Sequence, residues 1–135
     1  MNETQSDAKG GAQLPLVWIG RVVSGLAVLV FAMSAFMNLQ GGPDLDRGMT
    51  HLGWPASIVL PLAILEITCA VIYLIPATSV VGAILLTGYM GGAICTHWRV
   101  GDPFAIQIGI AIIVWLGLYL RETRLRPLLP LRRQA

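Results

Sequence analysis

Along the 135-residue chain, apolar positions do not alternate with polar ones but gather into four runs that are apolar on nearly every face: Leu16 to Asn38, Pro55 to Ile75, Ser79 to Trp98 and Phe104 to Leu120. A helix that is apolar all round lies in a large core or in lipid. Crossing about 30 Å of hydrocarbon takes roughly 20 such residues, with a lower limit near 17. The fourth run is the shortest and still falls within that range. The pattern predicts an all-α integral membrane protein with transmembrane helices over about 16–38, 55–75, 79–98 and 104–120. The connections "PAT" and "RVGDP" are short enough to force consecutive helices into antiparallel contact, so the expected architecture is an antiparallel, up-down-up-down four-helix bundle. The connection "QGGPDLDRGMTHLGW" is read as a long loop. The leader, residues 1–15, is polar and rich in small residues, and is predicted to be a disordered tail. Residues 121–135 form a second, basic tail.

Composition sharpens the membrane reading: 56% hydrophobic, 12% charged and a mean hydropathy of +0.73 lie far from soluble norms. The net charge of +2 conceals an asymmetry, because Arg121, Arg124, Arg126, Arg132 and Arg133 all follow the last apolar run. Beside a hydrophobic segment, such a tail is explained by the positive-inside bias, and no nucleic-acid partner is called for. With four spans both tails share one side, which holds Lys9 and these five arginines against Arg47 and Arg99 opposite. The expectation is a multi-pass protein of the cell membrane with both termini cytoplasmic. Arg21 followed by an apolar stretch ending in "AMSA" has the outline of a cleavable signal, but apolar residues already begin at Leu14, so the run is read as a span.

Helix three carries a stripe of small residues, Ala83, Thr87, Gly91 and Cys95, flanked by Gly88, Gly92 and Thr96. This small-xxx-small spacing is the one by which membrane helices approach closely, and the stripe is expected to pack against a neighbouring backbone. Gly109 and Gly117 suggest a weaker version in helix four. Pro61 removes a donor from helix two and predicts a kink there. The two cysteines, Cys69 and Cys95, fall at depths about 16 Å apart, too far for a disulfide. No third ligand stands at helical spacing from His51 and His97, so no metal site is predicted.

Ionisable residues inside a bilayer are expensive and are functional candidates by default. Arg21 lies in helix one and Glu66 near the middle of helix two, and a guanidinium forked onto the carboxylate would make a buried pair, whether structural or engaged in proton handling. A second cluster gathers at the outer ends of the helices: Asn38, His97, Arg99 and Gln107, with His51 and Asp102 in the adjoining loops. A histidine beside a carboxylate relays protons near neutral pH, and an arginine with an amide holds a carbonyl or quinone oxygen. The alternative for His97 and Arg99 is interfacial anchoring beside Trp98. Candidate catalytic residues are thus Glu66, His97 and Arg21, and candidate ligand-binding residues are Asn38, Arg99 and Gln107.

The order Arg21 with "SGLAVLVFAMSAFMN", "LPLAILEITCAVIYLIP" and "LLTGYMGGAICTHWRVGDP" resembles the DoxX-like family of small four-helix membrane proteins, over about residues 16 to 131. The resemblance implies a link to quinone handling or to redox complexes. It carries over onto Arg21, Glu66 and Thr96 to Pro103, but departs at Asn38, where family members usually place a lysine. Three functions remain open: a quinone-linked redox protein, a non-catalytic membrane subunit anchoring a soluble oxidoreductase partner, and a small-lipophile transporter. Assembly into an oligomer is left open as well. The chain contains no haem-ligand pair, flavin motif or iron–sulfur spacing, so a catalyst of the first kind would pass electrons between bound substrates or to a partner.

Overall fold

A computed structural model describes the backbone of residues 3–129 and the side chains from Leu14 onward. Arg132 and Arg133, and the side chain of Lys9, lie outside the described residues. Five helices follow one another: α1 (Glu3–Gln40), α2 (Pro43–His51), α3 (Val59–Leu74), α4 (Ser79–Arg99) and α5 (Ala105–Arg121). Among the described residues there are no strands, and α1, α3, α4 and α5 form the expected bundle. Each packs against its neighbour in sequence, and α5 closes the ring against α1. The ends of α1 and α4, the beginnings of α3 and α5, and all of α2 lie at one end of the bundle, called here the α2 end. The turn 75–78 and the C-terminus of α5 lie at the other, the tail end.

Three stretches are long and apolar enough to span a membrane: Leu14–Gln40, Ala56–Leu74 and Pro76–Arg99. At 17 residues α5 is shorter, about 26 Å along its axis. The outward surface is apolar: Leu26, Leu29, Phe36, Ile64, Ile84 and Ile112 are all exposed. Lipid is the solvent that such a surface requires.

Helix boundaries depart from the sequence reading in three places. Helix α1 starts at Glu3, well before Leu16, so the leader expected to be disordered continues the helix. Glu3, Gln5, Ala8 and Lys9 are adequate helix formers, and extending a helix already nucleated costs far less than starting one. The chain between Ala56 and Ile58 forms a 3-10 turn rather than the first turn of α3. Pro61 therefore falls in the first turn of α3, where its missing N–H has no intrahelical partner to lose, and the predicted kink loses its cause. The supposed long loop contains α2, which has Pro43 at its start, Asp44 and Asp46 in its first turn and His51 in its last.

The tail half of the bundle is tightly packed. Three glycines allow backbones to touch there: a methyl built on Gly82 would lie 2.3 Å from the Cα of Tyr73, one on Gly20 would lie 2.3 Å from the backbone nitrogen of Arg121, and one on Gly117 would lie 2.7 Å from Ser24 Oγ. Tyr73, fully buried, ties three helices together. Its hydroxyl donates to the Val114 carbonyl of α5 at 2.8 Å and accepts from Ser24 Oγ of α1 at 2.9 Å. Arg121 donates to the Tyr73 carbonyl and lies 4.4 Å over its ring, fixing the end of α5. Phe31, Leu86, Val114 and Leu118 are buried in the same core.

Candidate functional site

Small residues behave differently at the α2 end. Nothing lies within 4 Å of a methyl built on Gly88, Gly91 or Gly92, so the stripe on α4 does not pack against a helix as the sequence suggested. Its members part company. Ala83 is in the core, and Thr87 accepts a hydrogen bond from Trp115 Nε1 of α5 at 2.8 Å. Gly88, Gly92 and Thr96, on the adjacent face, line a cavity of about 480 Å³. The close approaches belong to Gly82 and Gly117 instead. Gly109 has no neighbour within 4 Å.

This cavity is a cleft between α3 and α4 that reaches inward to Asn38 of α1. Leu62, Leu65 and Cys69 form the α3 wall, Leu85 and Tyr89 lie at the inner end, and Met49, Leu52 and Trp54 roof it at the α2 end. Leu65 and Leu85 are both more than 40% exposed, so the cleft opens sideways from the bundle. The roof exists because α2 is amphipathic: Leu45, Met49 and Leu52 follow at i, i+4 and i+7 and are half-buried, whereas Asp44, Asp46 and Arg47 face outward.

At the roofed α2 end of the cleft, the end of α4 sets the chemistry. Gly101 has φ +82, and its amide and that of Asp102 bond back to the carbonyls of Trp98 (3.1 Å) and His97 (3.0 Å). This pairing is a Schellman ending, which requires a left-handed residue and here receives a glycine. The turn brings the Asp102 carboxylate to 3.4 Å from His97 Nδ1. From α2, His51 Nε2 lies 3.0 Å from both oxygens of the same carboxylate. The hydrogen bond to His51, more than the one to His97, holds the Asp102 carboxyl below the ordinary carboxylate range. The outcome is a His51–Asp102–His97 bridge from an exposed imidazole to one in the cleft wall.

The remaining candidate residues are dispersed. Asn38 lines the cleft, as does His97. Arg99 does not; it is exposed and donates to the Leu52 carbonyl, holding the 52–53 turn, where Gly53 has φ +72. Gln107 is also outside the cleft wall, with Oε1 buried and lacking a hydrogen-bond partner among the described residues. The expected Arg21–Glu66 pair does not form. Arg21 is exposed at the tail end, its guanidinium 5.1 Å over the Trp18 ring. Glu66, 1% exposed, faces the hydroxyls of Ser34 on α1 and Tyr89 on α4. Arg21 is thirteen residues from Ser34, about 20 Å along the same helix, beyond the reach of any arginine. Sequence reasoning missed Tyr89, Trp54 and Cys69 as cleft residues. Tyr89 was available as a signal, a phenol between glycines at positions 88 and 91. Cys69 and Cys95 are both free.

A helical bundle with an apolar outer surface, a packed tail half, and a ligand-sized cleft with His51, Asp102 and His97 gathered at its α2 end defines a class: a small integral membrane protein with a lipid-facing pocket. The chain belongs to the DoxX-like family, whose sequence model matches residues 22–118. No curated protein and no solved structure matches the chain.

Proposed function

We propose that the protein binds a quinone or a comparably small phenolic in the α3–α4 cleft and exchanges its protons through His97, Asp102 and His51. In this reading it is the membrane subunit of a quinone-linked oxidoreductase. The observation that carries the reading is the cleft itself: helix α4 forgoes side chains at Gly88 and Gly92, which leaves about 480 Å³, within the usual 300–1,000 Å³ of small-molecule sites. Its walls are leucine, methionine, tryptophan and tyrosine, suited to an apolar ring, with a few polar groups to orient it. With Nδ1 of His97 beside Asp102, Nε2 is the nitrogen left to accept a proton from a quinol hydroxyl or, once protonated, to donate to a quinone carbonyl. Asp102 stabilises the imidazolium, and the exposed His51 passes the proton to water. The two electrons of the couple leave to, or arrive from, a redox centre on a soluble partner.

The distribution of arginines supports a cell-membrane protein with both termini cytoplasmic and the cleft near the outer face. The packed core of the tail half favours a one-ended site over a transport route. The test is a thermal-stability titration of the detergent-purified protein with a short-chain benzoquinone. An upward shift is expected in the wild type and none in Gly88→Leu, whose side chain fills the cleft while the unliganded protein unfolds as before. No shift in the wild type, or an undiminished one in Gly88→Leu, overturns the reading and leaves a non-catalytic anchor.

A further inference from the structure

We infer that the cleft takes a ligand with polar atoms at both ends, the inner one bound by the Tyr89 hydroxyl with Glu66 behind it. This rests on the quinone reading and narrows it to a ring carrying two oxygens para to each other. Tyr89 lines the inner end of the cleft and is half-buried. Its ring is held edge-on against the buried Phe31, with centroids 6.4 Å apart and planes at 72°. The hydroxyl faces Glu66, whose Oε2 is buried with no hydrogen-bond partner among the described residues. An orphaned carboxyl oxygen in an apolar bundle is costly, and such exceptions call for a functional explanation. A tyrosine hydroxyl that gives its proton to a carboxylate accepts from a ligand hydroxyl, and one that accepts from a protonated carboxyl donates to a ligand carbonyl, so the carboxyl behind it decides which ligand oxygen it receives. Glu66 is thus a positioning residue that acts through Tyr89.

The register on α4 agrees with a two-ended ligand. Tyr89 and His97 are eight residues apart, about 12 Å of helix rise. Both residues line the cleft, Tyr89 farther from the α2 end than His97, so two polar groups bracket a bound ring.

The experiment compares tetramethylhydroquinone with 2,3,5,6-tetramethylphenol, which keeps the ring and methyl groups but lacks one oxygen. Binding of each to the purified protein is read from tryptophan fluorescence, Trp54 being in the cleft wall. The wild type is expected to bind the hydroquinone about tenfold more tightly than the phenol, the worth of one good hydrogen bond. In Tyr89→Phe, which keeps the ring contact with Phe31, hydroquinone affinity falls to that of the phenol and phenol affinity is unchanged. Glu66→Gln reduces the ratio without altering phenol binding. Equal affinities in the wild type, or a Tyr89→Phe change that weakens both ligands alike, overturn the two-ended site and leave the quinone reading standing. If neither compound binds, the quinone reading falls and this inference with it.

Discussion

Two alanine substitutions about 9 Å of helix apart, at residues 82 and 88, should have opposite effects, because α4 uses its glycines for two different purposes. In Gly82→Ala the new methyl meets the Cα and backbone nitrogen of Tyr73, each 2.3 Å away. Carbon atoms in good contact are about 3.5 to 4.0 Å apart, so α3 and α4 must separate by about 1.2 Å or more. Backbone atoms cannot rotate out of the way, which places the cost near the upper part of the usual overpacking range, about 3 kcal/mol. Helix propensity returns about 1 kcal/mol, leaving a net loss of about 2 kcal/mol. In Gly88→Ala the methyl has open space, and the propensity gain stands nearly alone, for a change between zero and about 1 kcal/mol of stabilisation. The assay is equilibrium unfolding in mixed micelles, followed through the intrinsic tryptophan signal. Coincident unfolding curves for the two variants, or a Gly88→Ala protein less stable than Gly82→Ala, would falsify the division of α4 into a packing half and a cleft half.

The other predictions concern charge. Because Asp102 is held below its ordinary range, the hydrogen bonds to its carboxylate persist above the unfolded carboxylate pKa of about 3.9 and are lost as pH falls through the lower folded value. The stability gap between wild type and Asp102→Asn should be present at about pH 5 and should close as the pH falls below about 4; a gap that persists undiminished at about pH 2 contradicts this assignment. Arg21→Met and Glu66→Gln should act independently, the double variant losing the sum of the single losses within about 0.5 kcal/mol; recovery in the double variant would restore the ion pair that the structure lacks. In cells expressing a chain with Cys69 and Cys95 replaced, a cysteine at Asp44 should react with an impermeant thiol reagent from outside and one at Thr123 should not, and the reverse result inverts the proposed orientation.

Much of the bundle was legible in the sequence, for physical reasons that can be named. Helix α4 has a start after Pro76-Ala77-Thr78 and a stop at Gly101-Asp102-Pro103, and its predicted limits fall within one residue of the observed ones. Helix α2 was missed because nine residues of mixed polarity read as loop, although a proline at the first position, two early aspartates and apolar residues at 45, 49 and 52 together specify an amphipathic helix. The glycine stripe was recognised but misassigned. A row of small side chains states that bulk is absent on one face, and cannot state whether a backbone or a void occupies the space. His51, Asp102 and His97 were legible as part of one wider cluster with Asn38, Arg99 and Gln107 because all fall at one end of the chain's antiparallel path; which of the six touch one another was not legible. The Arg21–Glu66 pairing failed because it required two residues at different heights in the bilayer to meet.

The cleft's sideways opening between Leu65 and Leu85 has a consequence for how binding must be expressed. A site that faces acyl chains takes its guest from the lipid phase, so the concentration that governs occupancy is the guest's mole fraction in the bilayer. A dissociation constant quoted per litre of suspension will then rise in proportion to the amount of lipid or detergent added, since each increment dilutes the guest without removing it from solution. Affinities measured at different lipid-to-protein ratios should fall on one curve only after that conversion. In the proposed mechanism the protons, in contrast, pass through His51 to water and obey the bulk pH, so one pocket would answer to two solvents with separate scales of activity.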